Sequence, residues 1–164
     1  YNKIMKNKTT IRKATVKDLD DILKLNLLLF RNEHKKFDKS VDLKWTYGKE
    51  GKKYFKDRVV KRNGFVEVVA CDGKVVGYIV GGISERVSYR KSAKYAELEN
   101  MLLDSKFRGQ GIGRKLTKNF TDWCKKNKVD YVSVTASAKN KQAVDMYKKS
   151  GFKDYNITLE MKLK

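Results

Sequence analysis

Arg108-Gly109-Gln110-Gly111-Ile112-Gly113 stands between an apolar run, Leu98 to Leu103, and a stretch with helical periodicity. A glycine-rich turn that enters a helix is an anion site, because unpaired backbone N–H groups and the positive end of the helix dipole converge there. A phosphorylated ligand is therefore expected. The spacing narrows the choice. A dinucleotide fingerprint, Gly-x-Gly-x-x-Gly, begun at Gly109 and Gly111 needs a third glycine where Arg114 stands. A nucleoside-triphosphate loop fails at the same position and never reaches a Lys-Ser or Lys-Thr pair.

The pattern that does fit is Gln/Arg-x-x-Gly-x-Gly/Ala, read as Arg108, Gly111 and Gly113. It resembles the pyrophosphate loop of the GNAT superfamily of N-acetyltransferases. Upstream, Ala96 to Asp104 reads as the strand that precedes the loop in that family. Downstream, Asn140-x-x-Ala143-x-x-x-Tyr147-x-x-x-Gly151-Phe152 resembles the family's second signature, in the right order and at the right distance. The resemblance runs from about Gly64 to the C-terminus, and the first part of the chain matches only in its pattern of elements. It implies acetyl-CoA as the ligand. It also implies an α/β fold of GNAT type: a mixed, mostly antiparallel central sheet with helices on both faces, and a splayed strand pair that admits the cofactor.

Composition is compatible with that reading. The chain has 164 residues, 40% of them hydrophobic, which suffices for one domain with a real core. The expected organisation is a flexible basic tail over residues 1–8, with no apolar signal region, and a single N-acetyltransferase domain over 9–164. The longest apolar run, Leu25 to Phe30, is broken by Asn26 and is far too short for a membrane span. Cys71 and Cys124 show no metal or redox spacing, so both are expected to be reduced thiols in a cytoplasmic protein, with Cys124 packed in the core beside Trp123. The 39 Lys and Arg against 19 Asp and Glu give a net charge of +20. Such a field favours anionic partners, whether coenzyme A phosphates, an acidic protein or peptide, or nucleic acid. Lysines dominate and are spread along the whole length, so nucleic acid is not favoured.

Periodicity supplies the elements. Thr9 to Ala14 is expected as a strand, followed by a helix whose Leu19, Ile22, Leu23, Asn26, Leu27 and Phe30 share one face. Phe37 to Gly51 carries no clear pattern, and a second helix is expected over Lys52 to Arg62. Phe65 to Ala70 and Lys74 to Ile83 read as a hairpin across Asp72-Gly73. The strand Tyr95 to Leu103 follows a polar loop, Glu85 to Lys94. Then come a helix with Ile112, Leu116, Phe120, Trp123 and Cys124 on one face, a strand over Asp130 to Ala136, and a helix over Asn140 to Lys149. Ile157, Leu159, Met161 and Leu163 alternate as a final strand. The resulting order, β-α-α-β-β-β-α-β-α-β-β, is the one a GNAT domain shows.

Acetyl transfer from a thioester to an amine requires a neutral amine, a polarised carbonyl and a proton for the departing thiolate. By resemblance, backbone groups of Met101, Leu102 and Leu103 pair with the pantetheine arm like an added strand. Arg108, Gly109, Gln110, Gly111, Ile112, Gly113 and Arg114 wrap the pyrophosphate, with Lys115 and Lys118 close by. Tyr147 is the expected general acid near the cofactor sulfur, against the alternative of a core aromatic. Asn140 caps its helix or binds pantetheine. Glu97 and Glu99 alternate with Leu98 and so share one strand face, where two acids in an apolar strand need a cleft or neutralising partners. Glu97 is preferred as the base, acting through a water, with Glu99 as its acceptor-binding partner; the alternative is that both face solvent or pair with lysines. His34 is read as a surface residue.

The expected activity is transfer to a primary amine by direct attack, with a protein N-terminus or lysine as acceptor. The alternatives are a small amine (a polyamine, amino acid or aminoglycoside), a domain that binds coenzyme A without catalysis, or a basic module for nucleic acid or ribosome. Monomer and homodimer both remain open.

Overall fold

The computed structural model describes residues 8–85, 89–91 and 93–163. The expected tail therefore lies almost wholly outside the described residues. Strands consecutive in the chain lie side by side, and together they build a five-stranded sheet in the order β1-β2-β3-β4-β5. These strands are β1 (Thr9–Lys13), β2 (Gly64–Cys71), β3 (Lys74–Ser84), β4 (Tyr95–Leu103) and β5 (Tyr131–Val134). The first three pairings are antiparallel, and only β4 and β5 run parallel. The helices are α1 (Leu19–Lys36), α2 (Lys49–Val60), α3 (Ile112–Lys126) and α4 (Lys141–Lys149). None of them is long and apolar enough to cross a membrane.

The alternation of β3 shows why the sheet is covered on both faces. Tyr78 and Val80 pack with Ile22, Leu23 and Phe55 of α1 and α2, whereas Ile79 between them packs with Leu116 and Phe120 of α3 and Tyr147 of α4. All three β3 residues are fully buried, so neither face of that strand meets water. At the β2–β3 turn both Asp72 (φ 49°) and Gly73 (φ 77°) are left-handed, as the tight hairpin requires. Cys71 and Cys124 are free and buried, and Cys124 sits in the α3 core with its thiol pushed up to about 11 by burial.

Charge and polar contacts tie the first half of the chain to the sheet. Asp18 receives the Arg12 guanidinium at 2.7 and 2.9 Å and the Thr15 backbone N–H at 2.8 Å, which joins β1 to the start of α1. The Arg12 contact holds the Asp18 carboxyl down at about 2. The segment without a clear sequence pattern is fastened by Thr46, whose hydroxyl donates to Asn26 Oδ1 at 2.6 Å; Asn26 Nδ2 in turn donates to the Tyr78 hydroxyl at 3.1 Å. Asn26 thus serves the buried face of α1 through a satisfied polar chain rather than as an apolar filler.

Three boundaries differ from expectation. α2 begins at Lys49, directly after a tight turn at Trp45–Tyr47, because the Gly48 N–H and carbonyl already complete that turn and the first helical bond. β5 is limited to Tyr131–Val134 instead of Asp130 to Ala136, since its partner β4 bulges away beyond Leu98. The expected final strand is not formed: residues 153–163 carry no strand pairing, and Ile157, Leu159, Met161 and Leu163 are exposed. Two-residue alternation describes a strand only if an edge accepts it, and within the single chain no edge does. The closing strands of the expected order are therefore absent from the described residues.

Candidate active site

β4 and β5 pair only from Tyr95↔Tyr131 to Leu98↔Val134, after which β4 continues alone on that side to Leu103. The sheet is open there. A bulge coincides with the opening: Gly81 faces Leu98 and Val80 faces Asn100, so Glu99 has no partner on β3. Leu98 packs on the α3 face and so does Met101, which leaves both Glu99 and Asn100 turned toward α2.

The glycine turn lies at the far end of the opening. The chain leaves β4 through a short turn at Ser105–Phe107, held by Asp104 accepting the Lys106 N–H at 3.0 Å. Gly109 and Gly111 have φ of 75° and 79°, which any other residue adopts only with strain, and a Cβ at either would meet nothing within 4 Å. Gly111 caps α3, whose first turn carries no acidic side chain. The first helical bond runs from Lys115 N to Gly111 O at 3.0 Å, so the N–H groups before it have no intrahelical acceptor. Ile112 is buried and anchors the turn to the core, while Arg108 uses its Nε to hold the Leu103 carbonyl at 2.8 Å. Arg114 and Lys118 line a shallow cleft with Thr121, Lys149 and Ser150. Lys118 is paired with Asp122 at 2.6 Å.

The two carboxylates of β4 have unlike surroundings. Glu99 accepts the Tyr54 hydroxyl at 2.6 Å and Arg58 Nε at 2.8 Å on one oxygen, and Arg58 Nη2 on the other. Burial, then the Glu99 charge, pushes the Tyr54 hydroxyl far above the usual tyrosine range. Asn100 Nδ2 donates to the Tyr54 oxygen at 3.2 Å, and its Oδ1 is buried without a partner. Arg58 reaches this position only because residue 82 is glycine, where a Cβ would lie 2.5 Å from Nη1. Glu97 is half-buried, and its carboxylate makes no hydrogen bond among the described residues. Burial raises its carboxyl above the usual range, the neighbouring Glu99 raises it further, and Arg58 partly offsets both.

The Arg58–Glu99 pair has side-chain exposures of only 19 and 17%, so removing one charge leaves the other poorly solvated. Glu99→Gln is expected to lower unfolding stability by about 3 kcal/mol, in the range found for a broken buried pair. Urea denaturation of Glu99→Gln and of Glu99→Gln with Arg58→Met checks this. The double variant should recover much of the loss, and equal losses in both would assign the effect to something other than the stranded charge.

On the opposite face Tyr147 is buried, edge-on to Phe152 with centroids 5.8 Å apart. Burial, then the charge of Glu33, pushes its hydroxyl up to about 12. Glu33, near the end of α1, is itself raised by burial, and the nearby Asn140 side chain partly offsets this. Asn140 Oδ1 accepts the Ala143 N–H at 3.2 Å and caps α4. α1 and α4 cover different faces of the sheet, and Glu33 of α1 comes near enough to Asn140 and Tyr147 to influence both carboxyl and hydroxyl. Glu97 is thereby grouped with Glu99 and Arg58, and Tyr147 with Asn140 and Glu33. Tyr54, Arg58, Asn100 and Glu33 are not singled out by the sequence. The four-residue spacing of Tyr54 and Arg58 was the available signal; Asn100 depends on the bulge, and Glu33 on a tertiary contact. His34 is half-buried with Nδ1 3.1 Å from the Val41 carbonyl, a contact that pins the chain after α1.

The sheet is thus open beside a glycine turn that enters a helix, with two carboxylates of β4 nearer its other end. Residues 27–152 match the model of the Acetyltransferase (GNAT) family, and the chain belongs to that family. It is 30% identical over 148 residues to an uncharacterized N-acetyltransferase of Methanocaldococcus jannaschii, covering 90% of this chain and 62% of that one. It is 28% identical over 100 residues to an L-amino acid N-acetyltransferase of Escherichia coli, covering 60% of this chain and 59% of that one. The chain thus spans less than two thirds of the length of these two relatives. An aminoglycoside N-acetyltransferase solved with CoA has the same fold, with a TM-score of 0.74 over 94% of each chain at 14% identity.

Proposed function

We propose that this chain is an N-acetyltransferase that moves the acetyl group of acetyl-CoA to a primary amine by direct attack, with residues 9–164 forming the catalytic domain. The supporting observation is the opening between β4 and β5 beyond Leu98 and Val134, with the glycine turn at one end and the half-buried, unpaired Glu97 at the other. The turn fits a diphosphate: its left-handed glycines leave open space, and no acid stands in the first turn of α3. Acetyl-CoA supplies an activated acyl carbon and a thiolate leaving group.

The residues divide the remaining work. Gly109, Gly111 and Gly113 allow the backbone from Arg108 to Arg114 to approach the diphosphate, and Arg108 keeps the turn in place through the Leu103 carbonyl. Backbone groups of Met101 and Leu102 face the open side of β4 as a strand edge for the pantetheine amides. Glu97 takes the proton of the incoming ammonium through a water, so that nitrogen bonds the acyl carbon as the carbon–sulfur bond breaks. Tyr147, protonated at neutral pH, gives a proton to the departing sulfur, and the second nitrogen proton, shed to solvent as the amide forms, is matched by reprotonation of the tyrosine from solvent. Glu99, with both oxygens engaged by Tyr54 and Arg58, keeps negative charge beside Glu97. A base is active only when deprotonated, and the carboxyl of Glu97 is raised. kcat/KM should therefore rise with pH through a value above the usual carboxylate range, and Glu97→Gln should remove that limb while lowering the rate about 10²-fold. A limb that survives Glu97→Gln would assign the proton elsewhere.

The acceptor we favour is an amine on a larger, locally acidic molecule, such as a protein N-terminus or a lysine in an acidic stretch. The net charge of +20 supports it, because the field repels polycations and draws acidic molecules in. A small amine is the second reading, favoured by the names of the Escherichia coli relative and the aminoglycoside-modifying structure. A thiol-release assay across an acidic peptide, a neutral peptide, amino acids, spermidine and an aminoglycoside separates them. The acidic peptide should lead at low salt and lose several-fold in kcat/KM as ionic strength rises from about 0.05 to about 0.3 M, while the neutral peptide changes little. Efficient acetylation of spermidine or the aminoglycoside, with the acidic peptide inert, would select the second reading. Retention on nucleic acid with no acetyl-CoA turnover at all would overturn both.

A further inference from the structure

Tyr54, Asp57, Arg58 and Lys61 follow one another at helical steps, so they share one face of α2. With Asn63, just beyond the helix end, they line a cleft of about 250 Å³. Its polar groups are unevenly engaged. Arg58 commits Nε and Nη2 to Glu99, whereas Nη1 has no hydrogen-bond partner among the described residues and is not sealed from water. The Asn63 side chain is exposed and makes no hydrogen bond among the described residues either. Asp57 is held by Lys53 at 2.6 Å and by Lys61 at 2.9 Å. Lys53, Arg58 and Lys61 thus meet two acids, Asp57 and Glu99, which leaves one positive charge in excess on this side of α2.

The cleft adjoins the carboxylate of Glu97. Gly82 stands directly opposite Glu97 in the β3–β4 register, and opposed residues of an antiparallel pair project to the same face with Cβ atoms about 5 Å apart. The space that a side chain at 82 would take is filled from α2: a Cβ there would lie 2.5 Å from Arg58 Nη1 and 2.7 Å from the Asn63 carbonyl oxygen. The guanidinium and the Glu97 carboxylate are therefore neighbours on the α2 face, and Arg58 offsets part of the upward push on the Glu97 carboxyl. The two do not pair directly, because the ion pair of Arg58 is with Glu99. A free guanidinium edge beside a free carboxylate matches a ligand that carries the opposite charges side by side.

We infer that this cleft is a carboxylate subsite for the acceptor: Arg58 Nη1, with the Asn63 amide and the Lys61 ammonium at its rim, takes a carboxylate carried a few atoms from the amine that Glu97 serves. The acceptor is then an amine with its own neighbouring acid. A free α-amino acid has this chemistry, and so does a peptide whose first residue is acidic. A planar guanidinium with one nitrogen already fixed by a buried pair is pre-organised for such a contact, so little is lost in ordering it. Polyamines and aminoglycosides carry no carboxylate and would leave Nη1 unused. The inference rests on the acyl-transfer reading for the place of the amine.

Matched acceptor pairs test it in the thiol-release assay with acetyl-CoA. Leucine is compared with leucinamide, and a peptide beginning with aspartate with the same peptide beginning with asparagine, both peptides amidated at the C-terminus. In at least one pair the carboxylate member should have a kcat/KM at least about tenfold higher, as a charge-assisted hydrogen bond provides. A preference confined to leucine assigns the subsite to free amino acids, and one confined to the aspartyl peptide assigns it to acidic N-termini. Asn63→Asp should lower the preference about fivefold and Asn63→Lys raise it by a similar factor, since each changes the charge at the cleft mouth. Asn63 is exposed, so folding is not at stake, and the unfolding midpoint is the control. Arg58→Gln with Glu99→Gln leaves no stranded charge and should bring the preference to within about twofold of parity; the ratio cancels any common change in rate. Titration calorimetry of the full chain with the same pairs, in the presence of coenzyme A, reads the subsite without turnover. Tighter binding of a carboxylate member with no thiol release would overturn the acyl-transfer reading while supporting the subsite. Parity within both pairs, in rate and in affinity, would overturn the subsite, as would binding of no member at all or a preference that the Asn63 variants leave unmoved.

Discussion

Gly111→Glu is expected to weaken coenzyme A binding by at least about a hundredfold, whereas Gly111→Ala should stay within about tenfold of the parent. The pair is informative because both variants place a Cβ on a residue with φ of 79°, a conformation that costs an L-residue about 1–2 kcal/mol. That strain is common to the two. No atom lies within 4 Å of the added Cβ, so neither variant collides with the protein. They differ in charge. The glutamate variant would set a carboxylate at the positive end of α3, where a diphosphate would otherwise sit. Two unit charges about 4 Å apart repel by about 4 kcal/mol at an effective dielectric of about 20, which is more than the hundredfold loss requires. Titration calorimetry measures the affinities, and thermal unfolding of both variants verifies that the turn still folds. Equal affinities for Gly111→Glu and Gly111→Ala would show that no phosphate approaches this turn.

The shape of the turn was legible because it lies in local backbone geometry. Gly109 and Gly111 adopt left-handed conformations, and the periodicity of Ile112, Leu116, Phe120 and Cys124 marks the buried face of α3. The same holds for the Asp72-Gly73 hairpin. The surroundings of the carboxylates were only half legible. Alternation correctly sets Glu97 and Glu99 on one face, but the bulge that adds Asn100 to that face is a property of strand pairing, which no residue of β4 announces. Arg58 reaches Glu99 across 41 positions of sequence, and the fit depends on the missing Cβ of Gly82 on a third element. Glu33 meets Asn140 and Tyr147 only after α1 and α4 have packed on their separate faces. The C-terminal alternation reads correctly as strand chemistry and still fails as a strand of this sheet. A period-two pattern specifies a face to cover and not the chain that covers it.

Tyr147→Phe is expected to lower kcat about 10²- to 10³-fold and to leave the dissociation constant of coenzyme A within about threefold of the parent. The ring is buried and edge-on to Phe152, and phenylalanine keeps that contact, so only the hydroxyl is lost. Burial and the nearby Glu33 charge push that hydroxyl up to about 12, so it remains protonated at any pH where the enzyme is assayed. An acid acts only when protonated, and Tyr147 therefore adds no basic limb to the pH profile of the parent below about pH 10. With Glu97 as the proposed base, the acidic limb should survive in Tyr147→Phe at the same position. This separates the two roles: one variant removes a limb, the other lowers the plateau. A departing alkyl thiolate has a conjugate pKa of about 8.5, so near neutral pH it gains from a proton donor in the transition state. Slowed turnover with unchanged coenzyme A affinity is what loss of that donor predicts. Wild-type turnover in Tyr147→Phe would leave Tyr147 a packing residue, and a parallel loss of affinity and rate would assign its effect to the shape of the cleft.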